Sequence, residues 1–152
     1  MADLNDYKKV KLTDIAYIER AVKDRVYPAG TVYIQVSACR RAGLDQFFLT
    51  SEAGPLESKY AVILPKERTD SVYMVEVLNL NADSFMYKYV GTNINIQLDS
   101  FKWFELEWHP NYETQKNIGL IMTKMREEDE REEQTIEDLK DFKKWMLSEM
   151  MC

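Results

Sequence analysis

The chain has 152 residues, 45% hydrophobic residues and a net charge of −6. This length suits one medium-sized domain with an extension, and this hydrophobic content argues against a chain that is disordered throughout. No apolar run approaches the roughly 20 residues that a membrane-spanning helix needs. The N-terminal MADLNDYKKVKL lacks the apolar region of a signal peptide, and two cysteines, Cys39 and Cys152, are too few for a disulfide scaffold. We therefore expect a protein of the reducing cytoplasm.

The first 40 residues predict one short element, a strand or a helical turn, and one half-buried strand. VKLTDIAYIE (10–19) alternates weakly and indicates a short strand or a helical turn, and Pro28-Ala29-Gly30 then marks a turn. TVYIQVSAC (31–39) alternates cleanly, which predicts a half-buried strand with one polar face. Its apolar face holds Val32, Ile34, Val36 and Ala38, and its polar face holds Tyr33, Gln35 and Ser37.

The middle of the chain predicts two further strands and two helices. QFFLT (46–50) and KYAVILP (59–65) read as short strands, the second one buried. TDSVYMVEVLNL (69–80) fits a strand or a helix, but its N-cap residue types and apolar spacing favour a helix. ADSFMYKYVG (82–91) predicts a second short helix that starts at Asp83 or Ser84 and ends before Gly91.

The rest of the body predicts a strand in TNINIQL (92–98), a helical turn in DSFKWF (99–104) and a final strand in ELEWHP (105–110). Strands and helices mix without a regular βαβ order, which indicates the α+β class. We therefore expect one mixed domain over residues 1–110.

Residues 111–152 predict a single long helix, capped by Asn111 or Thr114. A helix of about 38 residues is roughly 57 Å long, which exceeds the diameter of so small a body. Much of it should therefore project and dock on a partner. The alternative is a helix that folds back on its own domain. A seven-residue frame places apolar side chains on one seam, interrupted by Asp129, Glu132 and Lys143. The apolar seam residues are Ile118, Met122, Met125, Ile136, Leu139, Met146 and Met150.

The negative charge is divided unevenly between the two parts. Residues 1–110 carry 13 Lys and Arg against 15 Asp and Glu, whereas residues 111–152 carry 7 against 11. The body is therefore close to neutral, although a nucleic-acid-binding protein is usually basic. Most of the acidity lies in the helix.

The sequence predicts no catalytic residue, metal or cofactor. Its one histidine, His109, has no motif that would place a nucleophile beside it, and no CxxC, HExxH or phosphate-binding glycine loop is present. A stand-alone nuclease or hydrolase that depends on His109 is a third hypothesis, behind two that assign the chain a binding role.

The order of segments resembles the specificity (S) subunit of type I restriction–modification systems. LEWHPNYETQKNIGLIM (106–122) is similar to the family's passage from the last strand of a target-recognition domain, through a proline and a glutamine, into a long conserved helix. TIEDLKDFKKWMLSEMM (135–151) resembles the end of that helix. VKLTDIAYIERAVKDRVYPAGTVYIQVSA (10–38), SVYMVEVLN (71–79) and FMYKYVGTNINI (85–96) resemble successive parts of the recognition domain.

The chain departs from the family in two ways. It holds one recognition domain and one helix where S subunits have two of each, and the centre of its helix is acidic. The resemblance therefore implies a half-subunit that forms a homodimer, whose helices pair antiparallel as a coiled coil. Each recognition domain would read a half-site in double-stranded DNA, while the helices would dock the methyltransferase and the restriction translocase. The chain itself would perform no chemistry.

A second hypothesis is a phage or mobile-element protein that binds the methyltransferase and inhibits or redirects DNA methylation, which the acidic bias favours. The first hypothesis depends on residues suited to phosphate or base contacts. These are Arg20, Lys23, Arg25, Gln35, Ser37, Arg40, Arg41, Lys59, Lys88, Asn93 and Asn95. The alternative for the charged residues is a solvated surface, and for the asparagines a turn or strand edge. The expected partner contacts are Ile118, Met122, Met125, Ile136, Leu139 and Met146.

Overall fold

The computed structural model describes residues 5–150, so Cys152 lies outside the described part. Within that part the chain forms eight strands, three α-helices and two helical turns of other types. The strands are β1 (Lys8–Lys11), β2 (Ala16–Arg20), β3 (Val26–Tyr27), β4 (Val32–Gln35), β5 (Phe47–Leu49), β6 (Gly54–Pro55), β7 (Tyr60–Pro65) and β8 (Glu105–Trp108). The helices are α1 (Leu12–Ile15), α2 (Ser71–Phe85), a π-helical turn (Met86–Val90), a 3-10 helix (Leu98–Trp103) and α3 (Tyr112–Met150).

A four-stranded antiparallel sheet lies at the centre of the body. Its strand order is β2-β7-β4-β5, with Tyr33 of β4 opposite Val62 of β7 and Phe48 of β5. Two antiparallel ribbons, β1–β8 and β3–β6, complete the strand pairing of the described residues. The mixture of antiparallel strands and separate helices confirms the predicted α+β class.

The main core forms between one face of the sheet and α2. Val32, Ile34 and Val36 are at most 2% exposed and share this core with the buried side chains of α2. This confirms the predicted apolar face over residues 32–36, although β4 itself ends at Gln35. Ala38 breaks the pattern, since it is exposed and has a φ of 50°. A smaller core on the opposite face of the sheet contains Tyr27 and Val62.

Helix α2 is longer than predicted. Asp70 caps it by accepting a hydrogen bond from the Tyr73 amide at 2.9 Å, so the helical alternative for residues 69–80 is correct. The predicted second helix start at Asp83 or Ser84 is wrong. The Asp83 carboxylate accepts a hydrogen bond from the Gly43 amide instead of capping, and α2 continues into the π-helical turn. That turn ends at Gly91, which has a φ of 60°.

The predicted strand in TNINIQL is also wrong. Residues 92–97 form no strand, although they run beside the chain that leaves β4. The Ile96 amide donates to the Val36 carbonyl at 2.8 Å, and the Ile94 carbonyl accepts from the Cys39 amide at 2.7 Å. Ile94 is 71% exposed, so the alternation has an apolar side chain facing solvent rather than a core.

Helix α3 packs on α2 at its start and then leaves the body. Thr114, Gln115 and Gly119 are buried, while every residue from 124 to 150 is exposed. The Asn111 side chain accepts a hydrogen bond from the Thr114 amide at 3.1 Å, which identifies Asn111 as the cap. We call residues 127–150 the arm, which extends roughly 36 Å at 1.5 Å per residue. The alternative of a helix folded back along its whole length is wrong.

Candidate nucleic-acid interface

Several of the predicted DNA-binding residues meet where β4 ends. Arg20 donates through Nη1 to the Ser37 hydroxyl at 3.1 Å and to the Ser58 carbonyl at 2.9 Å. Gln35 donates through Nε2 to the carbonyls of Ser37 and Ala38, at 3.1 and 2.7 Å. These bonds hold the chain after β4 in one position, and they join Arg20 and Lys59, the neighbour of Ser58, to the same region.

The loop before the 3-10 helix, residues 91–97, also contacts the chain that leaves β4. Asn95 accepts a hydrogen bond from the Ala38 amide through Oδ1 at 3.0 Å, which supports the left-handed backbone of Ala38. Asn93 contacts the Cys39 thiol through its carbonyl oxygen at 3.7 Å, and its side chain is exposed. Burial raises the pKa of Cys39, so the thiol stays protonated near neutral pH.

The loop between β4 and β5 carries Arg40 and Arg41. Gln46, only 1% exposed, donates through Nε2 to the carbonyls of both arginines, at 3.4 and 3.0 Å. Arg40 donates to the Asp45 carbonyl at 2.8 Å, whereas the Arg41 side chain is exposed. A buried glutamine thus shapes the loop, and Arg41 faces solvent.

A row of three half-buried rings crosses the outer face of the sheet, on the side away from α2. We call Phe48, Tyr33 and Tyr60 the aromatic row, with centroid distances of 5.9 Å from Phe48 to Tyr33 and 5.1 Å from Tyr33 to Tyr60. The Arg40 guanidinium lies 5.0 Å from the Phe48 ring, and the Lys59 ammonium lies 5.2 Å from the Tyr60 ring. Two of the three rings thus hold a cation against them by cation–π attraction, at the end of the sheet where the predicted site residues meet.

The predicted site residues therefore fall into two sets. The structure brings eight of them to one end and one face of the sheet: Arg20, Gln35, Ser37, Arg40, Arg41, Lys59, Asn93 and Asn95. Lys23 and Arg25 lie on the turn between β2 and β3, where Arg25 pairs with Glu19 at 3.2 Å. Lys88 lies in the π-helical turn beside Tyr89 and Trp103.

Lys59 also forms an ion pair with Glu57 at 3.5 Å, and this carboxylate raises the pKa of Lys59. The lysine is therefore fully charged at neutral pH. The sequence did not single out Phe48 or Tyr60 as site residues. The alternation in β4 already placed Tyr33 on the polar face, but the register that sets it beside Phe48 is visible only in the folded sheet.

The junction between β8 and α3 contains His109, the residue on which the hypothesis of a nuclease or hydrolase depends. The Tyr73 hydroxyl accepts a hydrogen bond from the His109 amide at 2.9 Å and lies 2.9 Å from His109 Nδ1. Burial raises the pKa of Tyr73 to about 12. Gln115, which is buried, donates to the His109 carbonyl at 2.7 Å and accepts from the Asp70 amide at 3.1 Å. These contacts give His109 a structural task at the base of the long helix.

Arg126 is the last residue of α3 that contacts the body through ion pairs in the described region. Its guanidinium binds Glu76 of α2 at 2.7 Å and Asp45 of the β4–β5 loop at 2.8 Å. These two carboxylates raise the pKa of Arg126 above its ordinary value. The residue therefore joins the helix, α2 and the loop that carries Arg40 and Arg41.

The predicted partner-binding residues differ in exposure. Ile118 packs in part against the main core of its own chain, and Met122 is half-buried. Met125, Ile136, Leu139 and Met146 are between 41% and 62% exposed. Phe142 and Trp145 stack on each other in the arm and are also more than half exposed. The arm thus presents a long apolar surface to solvent.

Residues 5–150 lack two features that would point to other functions. No group of three or more histidine, cysteine or carboxylate side chains is placed to bind a metal ion. None of the helices described is long and apolar enough to span a membrane.

Comparison with known proteins finds similarity in structure and not in sequence. Neither a protein-family model nor a curated protein matches the sequence. The HsdS subunit from Thermoanaerobacter tengcongensis superposes with a TM-score of 0.59 at 12% identity, over 84% of this chain and 39% of that one. The type I restriction–modification S subunit from M. genitalium gives 0.61 at 13% identity, over 84% and 42%. A chain from a type I R-M complex structure gives 0.58 at 13%, over 84% and 40%.

The chain has the S-subunit fold. This confirms, at the level of fold, the resemblance that the order of sequence segments indicated. At 12–13% identity the likeness concerns the architecture, which is a mixed α/β domain followed by a long helix. The chain spans about two fifths of the length of these S subunits, at 39–42%.

Proposed function

We propose that the chain is a DNA-recognition subunit of a type I restriction–modification system and performs no chemistry itself. The observation that carries this proposal is the shared S-subunit fold over 84% of the chain. The candidate interface supports it independently, because cationic, amide and hydroxyl side chains meet at one end of the sheet. Such side chains make the phosphate and base contacts that recognition requires.

The interface divides into residues that hold its shape and residues free to contact DNA. Arg20, Gln35 and Asn95 are engaged in hydrogen bonds to the backbone around Ser37 and Ala38. Arg41 and Asn93 have exposed side chains on the two loops that these bonds position. In this proposal Arg41 binds phosphate or guanine, Asn93 reads an adenine, and Lys59 contacts phosphate.

The acidity of the chain is compatible with DNA binding because it lies mainly outside the interface. Six of the seven residues from 127 to 133 are Asp or Glu, and all of them are exposed on the arm. In this proposal the arm stays off the DNA, and the candidate interface on the domain takes the duplex. Weak binding by the isolated chain follows, with tight and salt-sensitive binding once a methyltransferase subunit adds its own contacts.

The proposed partners are double-stranded DNA, a methyltransferase subunit, a restriction translocase and a second copy of the chain, in the cytoplasm. The exposed apolar residues of the arm, together with Met125 and Ile121, supply the surface for the protein partners. Two copies related by a two-fold axis would recognise two inverted half-sites separated by a constant gap.

Selection from a random duplex library tests this proposal. The full chain, bound to a type I methyltransferase subunit, should enrich a motif of two inverted half-sites at one spacing. The methyltransferase subunit alone is the control and should enrich none. A complex that forms but enriches no motif would contradict the proposal.

A second candidate is an inhibitor that occupies the methyltransferase, and the exposed acidic segment 127–133 favours it. Adding the chain to an intact restriction–modification system separates the two. An inhibitor would abolish methylation at the system's own sites and create no new motif. A recognition subunit would direct methylation to a new motif.

A further inference from the structure

The exposed face of the arm is patterned for one particular partner. On the seven-residue frame, the seam runs from Met125 through Asp129 and Glu132 to Ile136, Leu139, Lys143, Met146 and Met150. The apolar members of this seam, from Met125 to Met150, are 41–76% exposed. An exposed apolar seam of about 26 residues needs a second helix to cover it.

The three charged seam residues exclude a parallel pair of identical arms. In a parallel pair Asp129, Glu132 and Lys143 would each meet the same residue of the other copy. Like charges in a partly dehydrated seam are destabilising, and the layers of Asp129 and Glu132 would be adjacent.

An antiparallel pair removes the conflict in one register. Seam residues of antiparallel coiled coils meet between the two alternating seam positions, so Ile136 faces either Glu132, Leu139 or Met146 of the other copy. When Ile136 faces Leu139, Glu132 faces Lys143, Met125 faces Met150 and Asp129 faces Met146. Moving the register by one heptad in either direction places both Glu132 and Lys143 opposite apolar residues, so the register with Ile136 facing Leu139 leaves the fewest charged side chains against apolar ones.

The residues beside the seam agree with the same register. Glu133 of one copy then lies beside Lys140 of the other, which adds an opposite-charge pair on each side of the two-fold axis. Glu128 and Glu149 become neighbours and are the like-charge pair of this arrangement. In the single chain, Lys140 lies 3.9 Å from Glu137, and Lys143 and Glu132 are exposed.

We propose that the arm binds the arm of a second copy antiparallel, with Glu132 paired to Lys143 of the other chain as a reciprocal charge lock that sets the register. This inference rests on the proposed function and makes its homodimer specific. Two locks form in each dimer, and the two-fold axis passes between Ile136 and Leu139. The register determines the distance between the two recognition domains, and hence the gap between half-sites.

Charge exchange in the full chain tests the lock by sedimentation equilibrium. Glu132→Lys and Lys143→Glu should each raise the dimer dissociation constant at least about tenfold, because both locks become like-charge pairs. An equimolar mixture of the two variants should restore dimers, and so should the double variant with itself. The double variant should not pair with the wild-type chain, since both locks would again join like charges.

Glu127→Lys and Lys144→Glu are matched controls, since they make the same charge changes on faces away from the seam, and both should dimerise like the wild type. A wild-type chain that stays monomeric at high concentration would overturn this inference. Unchanged dimers in both single variants would overturn the register and leave the arm-to-arm homodimer intact. Neither result decides whether the chain recognises DNA, because the duplex selection tests that proposal by a different measurement.

Discussion

Arg126 and Glu76 form a bidentate ion pair, in which Arg126 Nε lies 3.1 Å from Glu76 Oε1 and Arg126 Nη2 lies 2.7 Å from Glu76 Oε2. The remaining guanidinium nitrogen, Arg126 Nη1, donates a hydrogen bond to Asp45 Oδ2 at 2.8 Å. This pair lies where α3 leaves the body, so it sets the direction of the arm. Because Asp45 belongs to the loop that carries Arg40 and Arg41, the same residue connects the arm to the candidate interface.

We predict that Arg126→Ala loosens the attachment of α3. Charge-assisted bidentate pairs are stronger than simple surface pairs, but partial exposure limits the loss to about 1 kcal/mol. Amide hydrogen exchange in residues 116–126 should accelerate about fivefold. Arg131→Ala, an exposed arginine on the arm, is the control and should leave exchange in that segment unchanged. Equal exchange in both variants would show that the ion pair does not hold the helix.

We predict that Gly119→Ala destabilises the contact between α3 and α2. A Cβ at this position would lie 3.1 Å from Asp70 Oδ1 and 3.1 Å from the Tyr73 nitrogen. Both atoms belong to the N-terminal cap of α2 and cannot move freely, so the clash outweighs the helix preference of alanine. Urea denaturation should show a loss of about 1 kcal/mol. Leu120→Ala, at an exposed neighbour, should change the free energy of unfolding by less than about 0.5 kcal/mol.

We predict that the two asparagines of the 91–97 loop have different tasks. Asn95→Ala removes the acceptor for the Ala38 amide, which should cost about 1 kcal/mol of stability. Asn93→Ala, whose side chain is exposed, should leave stability unchanged but reduce discrimination at one base pair of the selected motif. Thermal denaturation and competition binding check the two effects. Equal loss of stability in both variants would contradict this division.

We predict that the chain loses stability in alkali through Tyr73. Its pKa is about 12 in the folded chain and about 10 when unfolded, so the unfolded state releases the proton first. The contribution is complete below pH 10 and is lost as the pH rises toward 12, amounting to about 2 kcal/mol by pH 11.5. Tyr73→Phe should be less stable at pH 8 but should lack this alkaline component. Parallel loss in both proteins, measured by urea denaturation, would show that another group is responsible.

The elements that the sequence predicted correctly are those in which the local pattern coincides with burial. Val32 and Ile34 of β4, and Val36 just after it, alternate because one face of this segment lies on the core. Asn111 and the apolar spacing after it predicted α3, since a helix cap and a helical stripe are local features. Residues 92–98 alternate as well, but no strand pairs with them, so the pattern alone was insufficient.

The sequence could predict which residue types belong to the candidate site, but it could not predict how their side chains are arranged in space. Arg20 and Lys59 are 39 positions apart, and the Ser58 carbonyl that brings them together is a contact of the folded chain. Lys88 was chosen by charge alone, yet it lies in the π-helical turn. The partners of His109, Tyr73 and Gln115, come from two different helices, so their structural task was not visible in the sequence.

Mapping the duplex on the chain tests the central claim most directly. Amide hydrogen exchange of the full chain with its methyltransferase subunit should be compared with and without the duplex enriched in the selection. The account predicts slower exchange in residues 36–41, 58–60 and 91–95, and no effect of a scrambled duplex. Slower exchange confined to the arm, or no difference between the two duplexes, would contradict the assignment of DNA recognition to this end of the sheet.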